Sequence, residues 1–247
     1  MITIIVPMAG AGKKFIDKGY TFPKPLIEVH GRPLIEIVAE NLRPKEPHRF
    51  VFICQREHLE KYALSDVLEL IAPESAVVAI PADTGGALCT VLLAVEAIPR
   101  QGEILIANSD QYVEASVDAF LSRCRLDDAD GCIMTFPSTH PKWSYAKVDE
   151  AGHVVTVAEK RPISKNATVG LYYFKTGEMF IQAAERHILK GARTSGEFYV
   201  CPVYNELILD GRKITTFPIA KKEMFSLGTP EDLEAFVKSK ALEVEST

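Results

Sequence analysis

Long apolar runs are missing from this chain of 247 residues. None approaches the roughly 20 residues that a membrane-crossing helix needs, so nothing in the sequence asks for a membrane partner. The opening Met1-Ile2-Thr3-Ile4-Ile5 lacks the basic segment of a signal peptide. A basic excess is missing as well. The chain has 28 Lys and Arg against 33 Asp and Glu, a net charge of −5, whereas a nucleic-acid-binding face wants the opposite sign. Cys54, Cys89, Cys124, Cys132 and Cys201 form no CxxC pair. An odd, scattered set of this kind reads as reduced, mostly buried thiols of a cytoplasmic protein. Repeats, low-complexity tracts and long linkers are absent, and Arg43-Pro44-Lys45-Glu46-Pro47 is only a loop. What remains is a globular composition, 47% hydrophobic and 25% charged, long enough for one large α/β domain or two small ones.

The pattern alternates. Apolar strand runs at Ile2-Val6, Phe50-Cys54, Ala76-Ile80, Glu103-Ala107 and Cys132-Phe136 are separated by helical periodicity around Pro33-Leu42, Thr84-Ala97 and Val113-Cys124. Strands that are apolar on both faces belong to a mainly parallel sheet covered by helices. Beyond residue 136 the character changes. Tyr145-Asp149, Val154-Ala158 and Val169-Phe174 read as antiparallel strands, the first two joined by a Glu150-Ala151-Gly152 turn. Helices are expected at about Gly177-Leu189 and Glu197-Leu209. The last helix has Thr229 as N-cap, Pro230 in first position, and Leu233, Phe236 and Val237 on one face.

Chemistry concentrates in the first 35 residues. The strand Ile2-Val6 ends in Ala9-Gly10-Ala11-Gly12, followed by Lys13, Lys14 and then Pro23-Lys24-Pro25. Glycines let backbone N–H groups approach phosphate oxygens, and lysines neutralise the charge. No GxxxxGK[ST] loop is present, and the GxG lacks the third glycine of the dinucleotide fingerprint. Asp83-Thr84-Gly85-Gly86-Ala87 opens the next helix after a strand, either as a simple cap or as a second ligand-facing turn. Asp110 follows an apolar strand, where open α/β sheets place ligands, and a carboxylate there suits a divalent cation bridging phosphates.

These segments resemble the sugar-1-phosphate nucleotidylyltransferases. Ala9-Gly10-Ala11-Gly12-Lys13-Lys14 is similar to the family's A-G-x-G-x-R loop and Pro23-Lys24-Pro25-Leu26-Ile27 to its P-K segment. Ala107-Asn108-Ser109-Asp110 is similar to its N-x-D, and Glu159-Lys160 to its sugar-binding E-K. Thr168-Val169-Gly170-Leu171-Tyr172, Gly196-Glu197-Phe198-Tyr199 and Leu227-Gly228-Thr229-Pro230-Glu231-Asp232-Leu233 resemble its remaining motifs, in the family's order. The resemblance implies a doubly wound, three-layer α/β fold of the nucleotide-diphospho-sugar transferase (GT-A-like) type, with a small antiparallel substrate lobe. It makes residues 1–247 one domain, in which 1–136 hold the nucleotide and 137–247 the sugar phosphate.

The implied reaction is attack by a sugar-1-phosphate oxygen on the α-phosphorus of a nucleoside triphosphate. Pyrophosphate leaves, and the product would serve surface or capsular polysaccharide synthesis. On this resemblance Lys14 and Lys24 are catalytic cations; Lys14 replaces an arginine, keeping the charge but losing the bidentate fork. Ala9, Gly10, Ala11, Gly12, Asp83 and Gly86 bind nucleotide. Tyr145, Glu159, Lys160 and Thr168 bind the sugar phosphate, with Trp143 as a further wall, while Trp143 and Tyr145, as aromatics, could equally be core; Asp110 binds Mg²⁺. One position departs: Ser226 stands where the family often has a second metal-binding aspartate, which leaves Asp110 alone or assisted by Asp83 or Glu223. Rival readings are a cytidylyltransferase acting on a non-sugar phosphate, a nucleotide-sugar-dependent glycosyltransferase, and a non-catalytic nucleotide-sugar sensor. Against the second of these, Lys14 and Lys24 suit a triphosphate better. Base, sugar and oligomeric state, a homo-oligomer included, stay open.

Overall fold

The computed structural model describes residues 1–244, with side chains through Lys240. The first part of the chain contains β1 (Ile2–Pro7), α1 (Lys13–Ile16), β2 (Glu28–Val29), β3 (Arg32–Pro33), α2 (Leu34–Leu42), β4 (His48–Gln55), α3 (Arg56–Tyr62), α4 (Leu64–Ile71), β5 (Ala76–Ile80), α5 (Ala87–Leu92) and β6 (Ile104–Ala107). There follow β7 (Gln111–Val113), α6 (Val117–Leu126), β8 (Gly131–Pro137), β9 (Tyr145–Val148), β10 (Val154–Ala158) and β11 (Asn166–Phe174). The chain continues with α7 (Gly177–Leu189), α8 (Tyr204–Leu209), β12 (Ile214–Pro218), β13 (Met224–Ser226) and α9 (Pro230–Val244).

One sheet carries nearly all of this, in the order β10-β9-β11-β6-β1-β4-β5, with β8 against β11 and β12 against β8. Pairings of β1 with β4 and β6, and of β4 with β5, are parallel. The chain therefore reverses its direction of winding at β1, between β4 and β6. Loops leaving the carboxyl ends of β1 and β6 diverge there and leave a crevice, the position at which α/β sheets bind ligands. Side chains alternate across β1: Ile2, Ile4 and Val6 pack beneath α2, α4, α6 and α9, whereas Ile5 packs on the α5, α7 and α8 side. Covering both faces is what permits the unbroken apolar runs.

Beyond β6 the sheet turns largely antiparallel, although β12 runs parallel to β8. β11 pairs with β6 and, through Ala167, with β9 along one edge, and with β8 along the other. Its register on β8 breaks between Thr168 and Tyr172, around Gly170 at φ 99°. A Cβ on Gly170 would overlap the amides of Gln111 and Asn108, so only glycine lets these side chains cross the strand.

Several sequence-based boundaries move. Val113 belongs to a strand, because Gln111–Val113 pairs with Met224–Ser226, and the helix starts after the Ser116 cap. The expected helix from Thr84 contracts to α5 and a 3₁₀ turn at Val95–Ala97, since residues 83–86 form a turn held by Phe198. The helix expected from Glu197 begins at Tyr204, because Glu197 bridges back to Thr194. Pro33 caps α2 rather than opening it. The division at residue 136 is not a break in the sheet: β11, from the second part, sits directly beside β6 from the first.

Candidate active site

The turn after β1 crosses the crevice. Gly12 adopts φ 62°, a left-handed conformation that costs glycine little, and this lets the chain enter α1 with the Gly12 Cα close beside Lys24. No protein acceptor takes the N–H of Gly10, Ala11 or Gly12 among the described residues. Three free donors and the cations Lys13, Lys14 and Lys24 therefore line one cleft of about 580 Å³. Uncommitted amides and ammonium groups converging on one concave surface form an anion site.

Asp110, in the loop after β6, stands opposite. Its Oδ2 is 2.9 Å from Lys24 Nζ; the lysine side chain is only 14% exposed and the aspartate 40%. Across the cleft, Asp83 and Gly86 come from the turn that follows β5. Gly86 is shaped by the second half of the chain. A Cβ there would collide with the Phe198 backbone, which in turn donates from its N–H to Gly85 O at 2.7 Å. Its missing side chain thus serves chain packing in the first instance. All the residues expected around the nucleotide, Ala9 to Gly12, Lys14, Lys24, Asp83 and Gly86, meet in this cleft.

A second cavity of about 220 Å³ adjoins the first, and the two share Ala87, Asn108, Asp110 and Tyr199. Glu159, Lys160, Thr168 and Trp143 line it as expected. The Glu159 carboxylate accepts from the Ser144 hydroxyl. Burial raises its pKa above the ordinary glutamate value, and the Ser144 bond and Lys160 only partly oppose that shift. Such a carboxylate lacks water and has acceptor capacity in excess, which suits neutral hydroxyl donors. Lys160 Nζ lies 2.6 Å from Tyr199 Oη and over that ring, and Tyr199 donates to Glu197 Oε2 at 2.6 Å.

Two expectations change. Tyr145 does not wall the cavity. The alternation of β9 turns it inward, where it is fully buried and donates to His140 O at 2.6 Å. Glu223 faces away, its Oε2 accepting from Ala220 N at 2.7 Å, so it offers nothing to a cation near Asp110. Ser226 donates to Asp232 Oδ2 at 2.8 Å. Ser226 Oγ and Asp110 Oδ2 both lie within 4 Å of the point where a Gly228 Cβ would sit. Among the described residues no group of three His, Cys, Asp or Glu side chains is arranged to hold a metal.

Sequence reading missed Lys142, Ser144, Gln111 and Tyr172, all in the second cavity. For Lys142 and Ser144 the local context carries no signal. Lys142 lies 4.6 Å from the Trp143 ring centroid and 3.8 Å from Asp232 Oδ1, contacts made only by folding. Gln111 was the more legible, one residue beyond the N-x-D segment.

A crevice at the winding reversal, with free N–H groups and lysines opposite a carboxylate, defines a nucleotide-handling α/β enzyme. Residues 3–213 match the family model described as nucleotidyl transferase, and the chain belongs to that family. The fold is the GT-A-like one of its structural neighbours. A nucleoside-diphosphate-sugar pyrophosphorylase from Vibrio cholerae RC9 superposes with a TM-score of 0.82 at 29% identity, covering 95% of this chain and 99% of that one. A UTP-bound UGPase from Acinetobacter baumannii gives 0.75 at 17%, covering 98% and 94%. The inositol-1-phosphate CTP transferase from T. maritima gives 0.72 at 16%, covering 93% and 90%. No curated protein sequence matches the chain at a significant level.

Proposed function

We propose that this nucleotidyl transferase condenses a nucleoside triphosphate with a sugar 1-phosphate, releasing pyrophosphate and forming a nucleotide sugar. The observation that carries the reading is the junction of two unlike cavities at Asn108 and Asp110. One is built for polyphosphate. The other holds a buried carboxylate and a lysine, groups matched to hydroxyls and a single phosphate. An oxygen of the sugar phosphate in the second would attack the α-phosphorus held in the first. Chemistry of this kind depends on placing anions together and neutralising them. Lys14, Lys24 and the loop amides do so on the triphosphate, and Lys160 on the sugar phosphate.

Mg²⁺ dependence belongs to the same proposal. A single carboxylate, Asp110, beside phosphate oxygens suits an ion that usually keeps several waters and takes one or two carboxylates plus substrate phosphates. The ion would neutralise charge building on the leaving pyrophosphate. Ser226 would add at most a weak hydroxyl oxygen. Family resemblance supports an outlet in surface or capsular polysaccharide synthesis. Five unpaired cysteines suit a cytoplasmic setting, and among the described residues no helix is long and apolar enough to cross a membrane. Pyrophosphate release measured across a panel of triphosphates and sugar phosphates tests the reading. Release with a matched pair supports it; binding of both ligands without release would make the protein a sensor.

A further inference from the structure

Asp83 is an acidic residue in a cleft otherwise built for anions, and its surroundings fix which of its oxygens is available. Gln55 Nε2 donates to Ala9 O at 2.6 Å and to Asp83 Oδ1 at 2.7 Å. A carbonyl and a carboxylate can only accept, so these two bonds settle the orientation of the Gln55 amide and use both of its protons. Asp83 is thereby tied to the end of β1, and Oδ2 has no protein donor among the described residues. The neighbouring hydroxyl is committed as well: Thr84 Oγ1 is 2.9 Å from Gly86 O and 2.7 Å from Thr90 Oγ1. Asp83 Oδ2 thus stands on this wall as an acceptor without a protein donor among the described residues.

A carboxylate repels phosphate, so Asp83 must face an uncharged part of the nucleotide. Its place in the sheet says which part. Asp83 follows β5, separated by β4 and β1 from β6, which leads to Asp110. The phosphate-binding loop after β1 lies between them. Along that line the base is the part of a nucleotide farthest from the reacting phosphates. Resting on the transferase reading above, we propose that Asp83, positioned by Gln55, selects a nucleobase with an exocyclic amino group and disfavours uracil and thymine. Cytosine, adenine and guanine can donate an N–H to Oδ2 from that group. Uracil and thymine carry a carbonyl oxygen where cytosine carries the amino group; the donor left on that edge, N3–H, has a carbonyl on each side, so presenting it to Oδ2 also brings a carbonyl against the carboxylate and sets two acceptors facing each other, an arrangement that hydrogen-bonding sites reject.

The test compares CTP, ATP, GTP, UTP and dTTP at fixed sugar phosphate, reading pyrophosphate release. Binding of the same five triphosphates is read by calorimetry. At least one amino-bearing triphosphate is expected to exceed UTP and dTTP by on the order of a hundredfold in kcat/KM and to bind more tightly. UTP or dTTP equal to the best of the others overturns the base assignment while leaving the transferase reading intact. No release from any pair overturns the transferase reading, and the calorimetric ranking then decides the base assignment alone. Asp83→Asn sharpens the comparison. Gln55 Nε2 still demands an acceptor, so the new amide oxygen turns toward it and the new NH₂ takes the place of Oδ2. The preference over UTP should then shrink at least about tenfold or reverse. An unchanged ratio in that variant removes Asp83 from base selection. A dCTP arm identifies ribose recognition: a penalty for dCTP that Asp83→Asn abolishes, with base preference unchanged, assigns Asp83 to the sugar hydroxyl and overturns the proposal.

Discussion

Lys24 Nζ stands 2.9 Å from Asp110 Oδ2, joining the loop that follows β1 to the loop that follows β6 across the crevice. The ammonium is nearly buried while the carboxylate keeps an open side, so the pair can accept an incoming anion at the lysine and a cation at the aspartate.

Lys24→Ala is expected to lower turnover far more than it alters folding. Losing one charge aimed at the transition state costs about 2.7–4 kcal/mol, a hundredfold or more in rate. Steady-state kinetics beside a thermal melt decide it. Turnover within threefold of wild type would make Lys24 a mere partner for Asp110.

Glu159→Gln should weaken the sugar phosphate and leave triphosphate affinity nearly unchanged, because Glu159 lies in the second cavity only. Its raised pKa adds a stability signature. A carboxyl whose folded pKa is raised contributes stability that is full below its ordinary value of 4.5 and is lost as pH rises through the folded value. Without ligand, the glutamine variant should therefore be at least as stable as wild type at neutral pH, with the gap closing on acidification toward 4.5. Sugar-phosphate affinity of the wild type should fall over that same acid window. Equal losses for both ligands would refute the division between cavities.

Asp110→Asn should abolish coupling between Mg²⁺ and triphosphate binding, measured by calorimetry with each ligand alone and together. Ser226→Asp should strengthen Mg²⁺ binding to the free protein. Because Ser226 Oγ is 2.8 Å from Asp232 Oδ2, the new carboxylate meets an existing one, so its melt should respond to Mg²⁺ more than that of wild type. Tight Mg²⁺ binding by unliganded wild type would contradict the single-carboxylate reading.

Gly86→Ala should destabilise the fold and impair triphosphate binding together. The substitution forces a side chain onto φ 116° and into the Phe198 backbone, and backbone strain alone costs about 1–3 kcal/mol. An alanine variant with unchanged melting and unchanged nucleotide affinity would show that the turn relaxes freely.

The parallel half of the fold was legible because its signals are local. Ile2–Pro7 is an apolar run that ends in glycines, and α9 begins at a Thr-Pro pair whose hydroxyl accepts from Asp232 N at 3.1 Å. Failures cluster where distant segments decide. Val113 is a strand residue only because Met224 lies beside it. The turn at residues 83–86 is shaped by Phe198, more than a hundred positions away in sequence. Tyr145 looked like a cavity wall, but a period-two strand sends it to the core and leaves Ser144 for the ligand side. The acceptor left free by the Gln55–Asp83 bond could not be read from either residue alone.

The placement of β11 has a consequence for dissecting the molecule. Its Leu171–Phe174 stretch supplies the antiparallel partner of Ala107–Ile104. A fragment ending near residue 136 would carry the phosphate-binding loop and Asp110, yet expose β6 as a bare hydrophobic edge with unpaired amides, a template for aggregation. The complementary fragment would hold Glu159 and Lys160 just past β10, on a lobe without the β1-β4-β5 sheet to lean on. The two ligand cavities are thus welded by one backbone ladder, and exchanging either half between relatives would require carrying the β6–β11 seam along with it.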